Sequence, residues 1–398
     1  MKPQQTVLFL GDGMADEPIG ELNGRTPLQV ARIPNMDTIA RNGRSGTMLT
    51  LPAGFPTSSD VANMSVLGCD LATELCGRGP LEAASQGIAL GPDDIAFRMN
   101  LVTVDAEGIL RDFSGGHIAQ ADAVESIRLL NEQLGGEAVR FYPGVSYRNL
   151  LILSGPQFSA NISYDKPDDQ HGQPVAKHLP RTKSEEGRFT AALLRDLIAR
   201  AAEVLQGRTA NGIWPWSGGK AGAIHNFCER YGVRAAVISA VDVINGLGRC
   251  LGMDVLPVPG ATGYIDTNYE GKADAALKAL ADGYDFVYVH VEAIDEVSHA
   301  RDLQLKIKTI EDFDRRLVGR VMAGAGDRVA YCVLPDHPVP VATGKHTRDP
   351  VPVAVWQPGV KPDAVAVFDE VAARRGALKH LKGADLMNLL LRATDPQS

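Results

Sequence analysis

Short apolar runs at residues 6–10, 233–238, 286–291 and 329–334 are rich in Val, Ile, Phe and Tyr, and the first, third and fourth run into Gly, Glu or Pro. Runs of this length and composition predict buried strands. A run at 351–356 carries Pro352, which donates no backbone hydrogen bond, and so predicts an edge strand. Between the strands, residues 35–42 and a segment opening at Ser59 predict helices, giving the alternation of an α/β domain. Leu303, Ile307, Ile310, Leu317 and Val321 recur at steps of three and four or their sums, predicting an amphipathic helix laid on the sheet. The same periodicity assigns Lys306, Lys308, Glu311, Asp312 and Arg315 to its outer surface. From Ala72 to Gly222 the rhythm changes to short glycine-punctuated runs, with a strand expected at 149–153 and a polar loop at 164–172. The expected organisation is residues 1–71 and 223–398 forming one α/β domain, with residues 72–222 inserted as another.

The chain's 398 residues exceed one ordinary core and agree with two domains. Hydrophobic residues make up 44% and mean hydropathy is -0.08, as expected of a soluble globular protein. A net charge of -8 gives no bulk attraction for nucleic acid or an anionic membrane, so any anionic substrate must be held by specific groups. No nucleic-acid or membrane partner is expected, and composition leaves the oligomeric state open. Cys69, Cys76, Cys228, Cys250 and Cys332 are odd in number and widely spaced, which argues against a disulfide framework. A reducing cytoplasm fits, and neither a signal peptide nor a membrane-spanning run is read.

The candidate chemistry clusters where strands stop. Asp336 and His337 follow the run ending at Leu334, and Asp295 and His299 stand four apart after the run ending at Val291. That spacing puts two side chains on one face of a helical turn. His346 lies beyond His337, and Asp12 sits between Gly11 and Gly13 after the first strand. Carboxylates and imidazoles gathered at strand ends suit a cation site, whereas an acidic residue in the first tight turn would repel the pyrophosphate of a dinucleotide. Ser58 and Ser59 both stand where a helix N-cap is expected, and the same position can present a hydroxyl and backbone N–H groups to a phosphate.

Several motifs together resemble the archaeal-type cofactor-independent phosphoglycerate mutases of the alkaline phosphatase superfamily. They are Gly11-Asp-Gly-Met-Ala-Asp16, Ser59-Asp-Val-Ala-Asn63, Cys76-Gly-Arg-Gly-Pro80, the run 259–272, His290 to His299, Leu334-Pro-Asp-His337 and Gly344-Lys-His346. The resemblance spans nearly the whole chain and implies an alkaline phosphatase-like sandwich with a mostly parallel sheet and a smaller inserted α+β domain. It implies one metal held by Asp295, His299 and His346, another held by Asp12, Ser59, Asp336 and His337, and Ser59 as phosphoryl acceptor. Two divalent ions per chain are expected, with manganese favoured by the mixed carboxylate and imidazole donors and zinc or magnesium left open. No 2,3-bisphosphoglycerate is required. The implied activity is isomerisation of 3-phosphoglycerate and 2-phosphoglycerate, with phosphotransfer in the proposed homoserine kinase branch as the alternative. A P-loop and a kinase-type glycine-rich loop are both missing from the sequence.

Substrate contacts are expected from the inserted domain. Arg78 can clamp a phosphate or carboxylate, Asp112, Ser114 and His117 resemble a family motif, Arg148 precedes an apolar strand and His171 follows an acidic loop. Lys220 is taken to fill the position of the family's lid lysine. Leu71-Ala72 after Asp70 and the Trp214-Pro-Trp216 loop depart from the family pattern.

Overall fold

The computed structural model describes residues 4–222 and 224–391. Two compact units divide the chain: Met1–Leu75 with Ile224–Ser398, and Cys76–Ala223. The crossings therefore fall at 75/76 and 223/224, where the sequence reading has 71/72 and 222/223.

An eight-stranded sheet forms the first unit, in the order Asp254–Val255, Ala235–Ile238, Phe286–Val291, Thr6–Gly11, Ala330–Leu334, Val351–Trp356, Arg44–Leu49, Lys379–Lys382. The first five strands run parallel, Val351–Trp356 is antiparallel to both neighbours, and the last pair is parallel again. Strands covered on both faces read as continuous apolar runs, which is how the sequence shows them. Alternation sorts their side chains. Val7, Phe9, Val287, Val289, Tyr331 and Val333 share a core with Met36 and Ile39 of Pro34–Asn42, Ala273 and Ala276 of Tyr269–Ala281, and Ile310 and Leu317. Tyr288 and His290 alternate with these residues and project from the opposite face. There the Tyr288 hydroxyl donates to Asn63 of the helix Ser59–Val66. The sheet thus lies between helical layers.

Three sequence expectations are corrected. The strand Val351–Trp356 lies inside the sheet and not at its edge. Only Ala354, Val355 and Trp356 pair with Ala330–Leu334, so Pro352 faces no strand on that side and its missing donor is tolerated. The expected helix over 303–321 is present as Leu303–Asp312, a π-helical turn Phe313–Val318 and Gly319–Ala325. The wider turn buries Phe313, Asp314, Leu317 and Val318 together. Lys306 and Asp312, both assigned to the surface, are buried, Lys306 fully. The Lys306 ammonium donates to Asp16 at 2.8 Å and to the carbonyls of Val339 at 2.9 Å and Ala15 at 3.3 Å, so each of its three protons has an acceptor.

The second unit is an antiparallel sheet built around the long strand Asp94–Val104, which pairs with Arg148–Ser154, Gly212–Lys220 and Leu110–Asp112. Helices Gln120–Leu134 and Arg188–Val204 pack on it through Ile127, Leu130, Leu194 and Leu197. The helix Arg78–Ser85 also approaches it, so closely that a Cβ on Gly79 would lie 2.0 Å from the Ala96 carbonyl oxygen.

Candidate metal centre

Register places the carboxylates. Leu10 pairs with His290 on one side and Leu334 on the other, so Asp12 and Asp336 each lie two residues past a matched pair at the carboxyl end of the sheet. Such an end is the ordinary site position in open α/β sheets. Gly13, at φ 64, permits the close turn, since a Cβ there would meet the Asp295 backbone at 2.8 Å.

Asp295, His337 and His346 present ligand atoms within 4.8 Å of one another, as do Asp12, Asp336 and His337, so His337 belongs to both groups. His299 adjoins the first. Its Nε2 lies 2.9 Å from His346 Nε2 and 3.2 Å from Asp295, while His346 Nε2 is 3.4 Å from Asp295. Those separations match the edges, roughly 3.3 Å long, of a tetrahedron with metal–ligand bonds near 2 Å. His299 Nδ1 is 2.8 Å from the Gly344 carbonyl, an acceptor only, which keeps a proton on Nδ1 and makes Nε2 the nitrogen that can face a cation. His337 Nε2 lies 3.3 Å from Asp336, 3.5 Å from Asp12 and 3.2 Å from Ser59 Oγ. The N-cap of the helix is Ser58, which makes no side-chain capping bond, and Ser59 is the first helical residue, its hydroxyl turned to His337.

Residues not singled out from the sequence hold these groups in place. Asn63 donates to Asp336 at 3.0 Å, and the Gly13 N–H donates to the same carboxylate at 3.1 Å. His290 lies 3.0 Å from Asp12 through Nε2 and 3.1 Å from the Ser239 hydroxyl through Nδ1. Burial, aided by the nearby Lys272 ammonium, pushes His290 down to about 3, so the ring is neutral. A neutral ring facing a carboxylate with Nε2 donates there and accepts from Ser239 at Nδ1. Lys272, itself lowered to about 8 by burial, donates to the His290 carbonyl at 3.0 Å. A period-two reading of 286–291 would have flagged Tyr288 and His290 as polar tips on one sheet face.

The electrostatics call for positive charge. Burial first, and then repulsion from Asp336, Glu292 and Asp295, raises Asp12 well above the carboxylate range, and burial likewise raises Asp336. For Asp295 burial acts upward, but the adjacent His299 and His346 rings outweigh it and hold the carboxyl very low. The bond to Asp295 raises His299 to about 9, and burial lowers His337 to about 3. Asp12 Oδ1 and Asp295 Oδ1 are buried without a hydrogen-bond partner. Adjacent buried carboxylates with unfilled lone pairs, beside the neutral His337 ring and a His299 proton that a cation can displace, fit divalent cations.

In the second unit, Arg78 and Arg98 both stack over Trp216, at 5.7 and 5.1 Å, and share Glu82 at 3.3 and 2.6 Å. Arg148 lies over Tyr147 and opposite Asn100, which donates to the Phe113 carbonyl and accepts from Trp216. Asp112 accepts from both the N–H and the hydroxyl of Ser114, and the His117 N–H donates to that hydroxyl, so the three form one turn. Exposed His171 adjoins it, because the Gly172 N–H donates to Leu110. Lys220 is elsewhere: it pairs with Ile95, eight positions from the Thr103–Asp112 pair and roughly 26 Å away along the strand, and its ammonium lies 3.7 Å from Asp93. Arg98 was not singled out because its strand reads as apolar.

Residues 4–393 match the model of a family described as the metalloenzyme superfamily. The chain is 46% identical over 398 residues to the 2,3-bisphosphoglycerate-independent phosphoglycerate mutase of Methanosarcina acetivorans, covering 97% of this chain and 99% of that one. A probable enzyme of the same name from Geobacter sulfurreducens is 44% identical, again over 97% and 99%. Among solved structures, a Pyrococcus horikoshii protein aligns over 98% of this chain and 97% of its own with a TM-score of 0.82 and 28% identity. The cofactor-independent phosphoglycerate mutase of Thermoplasma acidophilum aligns over 97% and 98%, with a TM-score of 0.67 and 29% identity.

Proposed function

The chain belongs to the 2,3-bisphosphoglycerate-independent phosphoglycerate mutases of the metalloenzyme superfamily, and from that premise we propose that it interconverts 3-phosphoglycerate and 2-phosphoglycerate through a phosphoserine at Ser59. The observation that carries this reading is the Ser59 hydroxyl, 3.2 Å from His337 Nε2 and beside the carboxylates Asp12 and Asp336. Asp295, His299 and His346 would hold one divalent ion and Asp12, Ser59, Asp336 and His337 the other. Manganese suits these donors. When bound, the ions supply positive charge that offsets the charge gathered during in-line phosphoryl transfer.

The Ser59 oxygen attacks phosphorus as the bond to the substrate's C3 oxygen breaks, and the Ser59 proton passes to that departing oxygen, giving phosphoserine and glycerate. The glycerate C2 hydroxyl then attacks the phosphoserine, the Oγ–phosphorus bond breaks, and Ser59 recovers its proton. The helix that begins at Ser59 offers its N–H groups to the phosphoryl oxygens. Arg78, Arg98 and Arg148, with Trp216 as a platform, are suited to hold a carboxylate or phosphate, and the turn of Asp112, Ser114 and His117 to hold glycerate hydroxyls. Retention of glycerate and exclusion of water separate a mutase from a phosphatase.

We place the enzyme in the cytoplasm: none of its five cysteines is in a disulfide, and no helix among the described residues is long and apolar enough to cross a membrane. The test is conversion of 3-phosphoglycerate by manganese-loaded protein, coupled to enolase, with acid trapping and mass mapping of phosphoserine and homoserine as a control acceptor. Phosphate on Ser59 and its loss in Ser59→Ala are expected. A competent phosphoenzyme in Ser59→Ala would overturn the assignment.

A further inference from the structure

Away from the centre described above, three side chains of metal-binding type converge. Cys69, Glu74 and His225 offer ligand atoms within 4.8 Å of one another. The Cys69 residue is 4% exposed, and the side chains of Glu74 and His225 are 11% and 14% exposed. Local bonds fix all three positions. The helix Ser59–Val66 runs out through Leu67 and Gly68, and the Cys69 N–H donates back to Met64 at 2.9 Å. Glu74 accepts from the Asp70 N–H at 2.9 Å, while Asp70 caps the short helix Leu71–Glu74. His225 stands just before the helix Phe227–Tyr231, capped by Asn226, and Arg230 of that helix donates to the Gly68 carbonyl at 3.3 Å.

The imidazole carries the argument. His225 Nδ1 lies 3.1 Å from each Glu74 oxygen, and Nε2 is buried without a hydrogen-bond partner. A neutral ring has one N–H and one lone pair. If the proton sits on Nδ1, the Nε2 lone pair is buried with no donor to satisfy it. If it sits on Nε2, a buried N–H has no acceptor and the Nδ1 lone pair confronts a carboxylate. A doubly protonated ring also leaves the Nε2 proton unmatched. A cation held with the Glu74 carboxylate and the Cys69 sulfur would fill the orphaned lone pair if it binds at Nε2, and would take the place of the proton shared with Glu74 if it binds at Nδ1.

We propose that Cys69, Glu74 and His225 form a further metal site, distinct from the centre at the sheet edge, for a borderline-soft divalent ion of the zinc type. Thiolate, imidazole and carboxylate are the donors zinc accepts, and water completes four-coordination. Binding releases the Cys69 thiol proton to solvent, since the thiolate is the ligand. Cys69 and Glu74 precede the crossing at 75/76 and His225 follows that at 223/224, so the ion would join the outgoing and returning segments of the chain.

Cobalt(II) reports the site, because thiolate coordination gives an intense near-ultraviolet charge-transfer band that the sulfur-free donors of the sheet-edge centre cannot produce. Full-length protein loaded with cobalt should show the band, and Cys69→Ser should abolish it while leaving mutase activity within about twofold. Glu74→Gln and His225→Gln should weaken or shift it, and they carry the test if Cys69→Ser does not fold. Absence of the band in cobalt-loaded wild-type protein, its survival in Cys69→Ser, or an unchanged spectrum in both Glu74→Gln and His225→Gln would overturn the proposal. The band is read without turnover, so this result is independent of the mutase reading.

Discussion

At the scale of single residues, neighbouring serines carry different loads. Ser58 occupies the N-cap without using its hydroxyl, so Ser58→Ala should cost less than the ~1 kcal/mol usual for a cap and leave turnover within a fewfold. Urea denaturation and the enolase-coupled rate check both parts. Beneath the carboxylates, His290 donates to Asp12 and is itself held by Ser239. Replacing it as His290→Phe removes the donor that orients Asp12, a proposed metal ligand, and metal affinity should fall roughly 10- to 100-fold, read by competition with a chelating dye. An unchanged affinity would show that Asp12 is oriented without it.

Among elements, the helix Pro34–Asn42 has its exposed N–H groups satisfied from a distance. Asp314, in the π-helical turn, accepts from the Met36 N–H at 2.7 Å and from the Asn35 side chain at 2.7 Å. Burial raises this carboxyl to about 6, against hydrogen bonds that pull it down. Between the unfolded value of 3.8 and about 6 the folded chain therefore binds the extra proton, so this group's contribution to stability declines as pH rises through that window. Asp314→Asn should flatten the decline, seen as a difference between wild-type and variant denaturation curves measured from pH 4 to 7. Sequence patterning reached the strands and the Asp and His residues just beyond them, because an apolar run followed by Asp marks a sheet edge directly. It gave no role to His290 or Arg98, since a polar side chain inside a buried strand looks like an exception until its partners, 278 and 16 residues away, are in place. Lys306 was misplaced for a related reason: helical periodicity assigns charge to the outside, and only tertiary structure brings Asp16 and two carbonyls to its ammonium. The cation-site candidates spread over several strand ends were gathered by motif resemblance, and the stacking of Arg78 and Arg98 over Trp216 was not legible at all.

For the whole molecule, the buried carboxylates at the sheet edge make metal content a stability variable. Protonation competes with the cation, because burial and mutual repulsion raise Asp12 and Asp336. Metal affinity should therefore fall as pH is lowered. Chelation should lower the melting temperature, by an amount equivalent to about 3–4 kcal/mol for each ion removed if it is present at 100 to 1,000 times its dissociation constant. Calorimetry with and without chelator at two pH values tests both statements, and a melting temperature indifferent to chelator would contradict them.

The strand Thr6–Gly11 finds its neighbours only at Phe286–Val291 and Ala330–Leu334, a separation of 280 residues for the first pair, Thr6 with Phe286. On a ribosome adding about 5–20 residues per second, that strand waits roughly 15–60 s for a partner. The sheet around Asp94–Val104 takes all its strands from Cys76–Ala223 and needs no such delay. The middle of the chain is therefore expected to acquire protected amides while the beginning is still unpaired, an order that pulsed hydrogen exchange on stalled nascent chains would record. An apolar strand left waiting is a natural client for a holding chaperone, so the long interval between Thr6 and Phe286 makes biogenesis of this protein sensitive to translation speed.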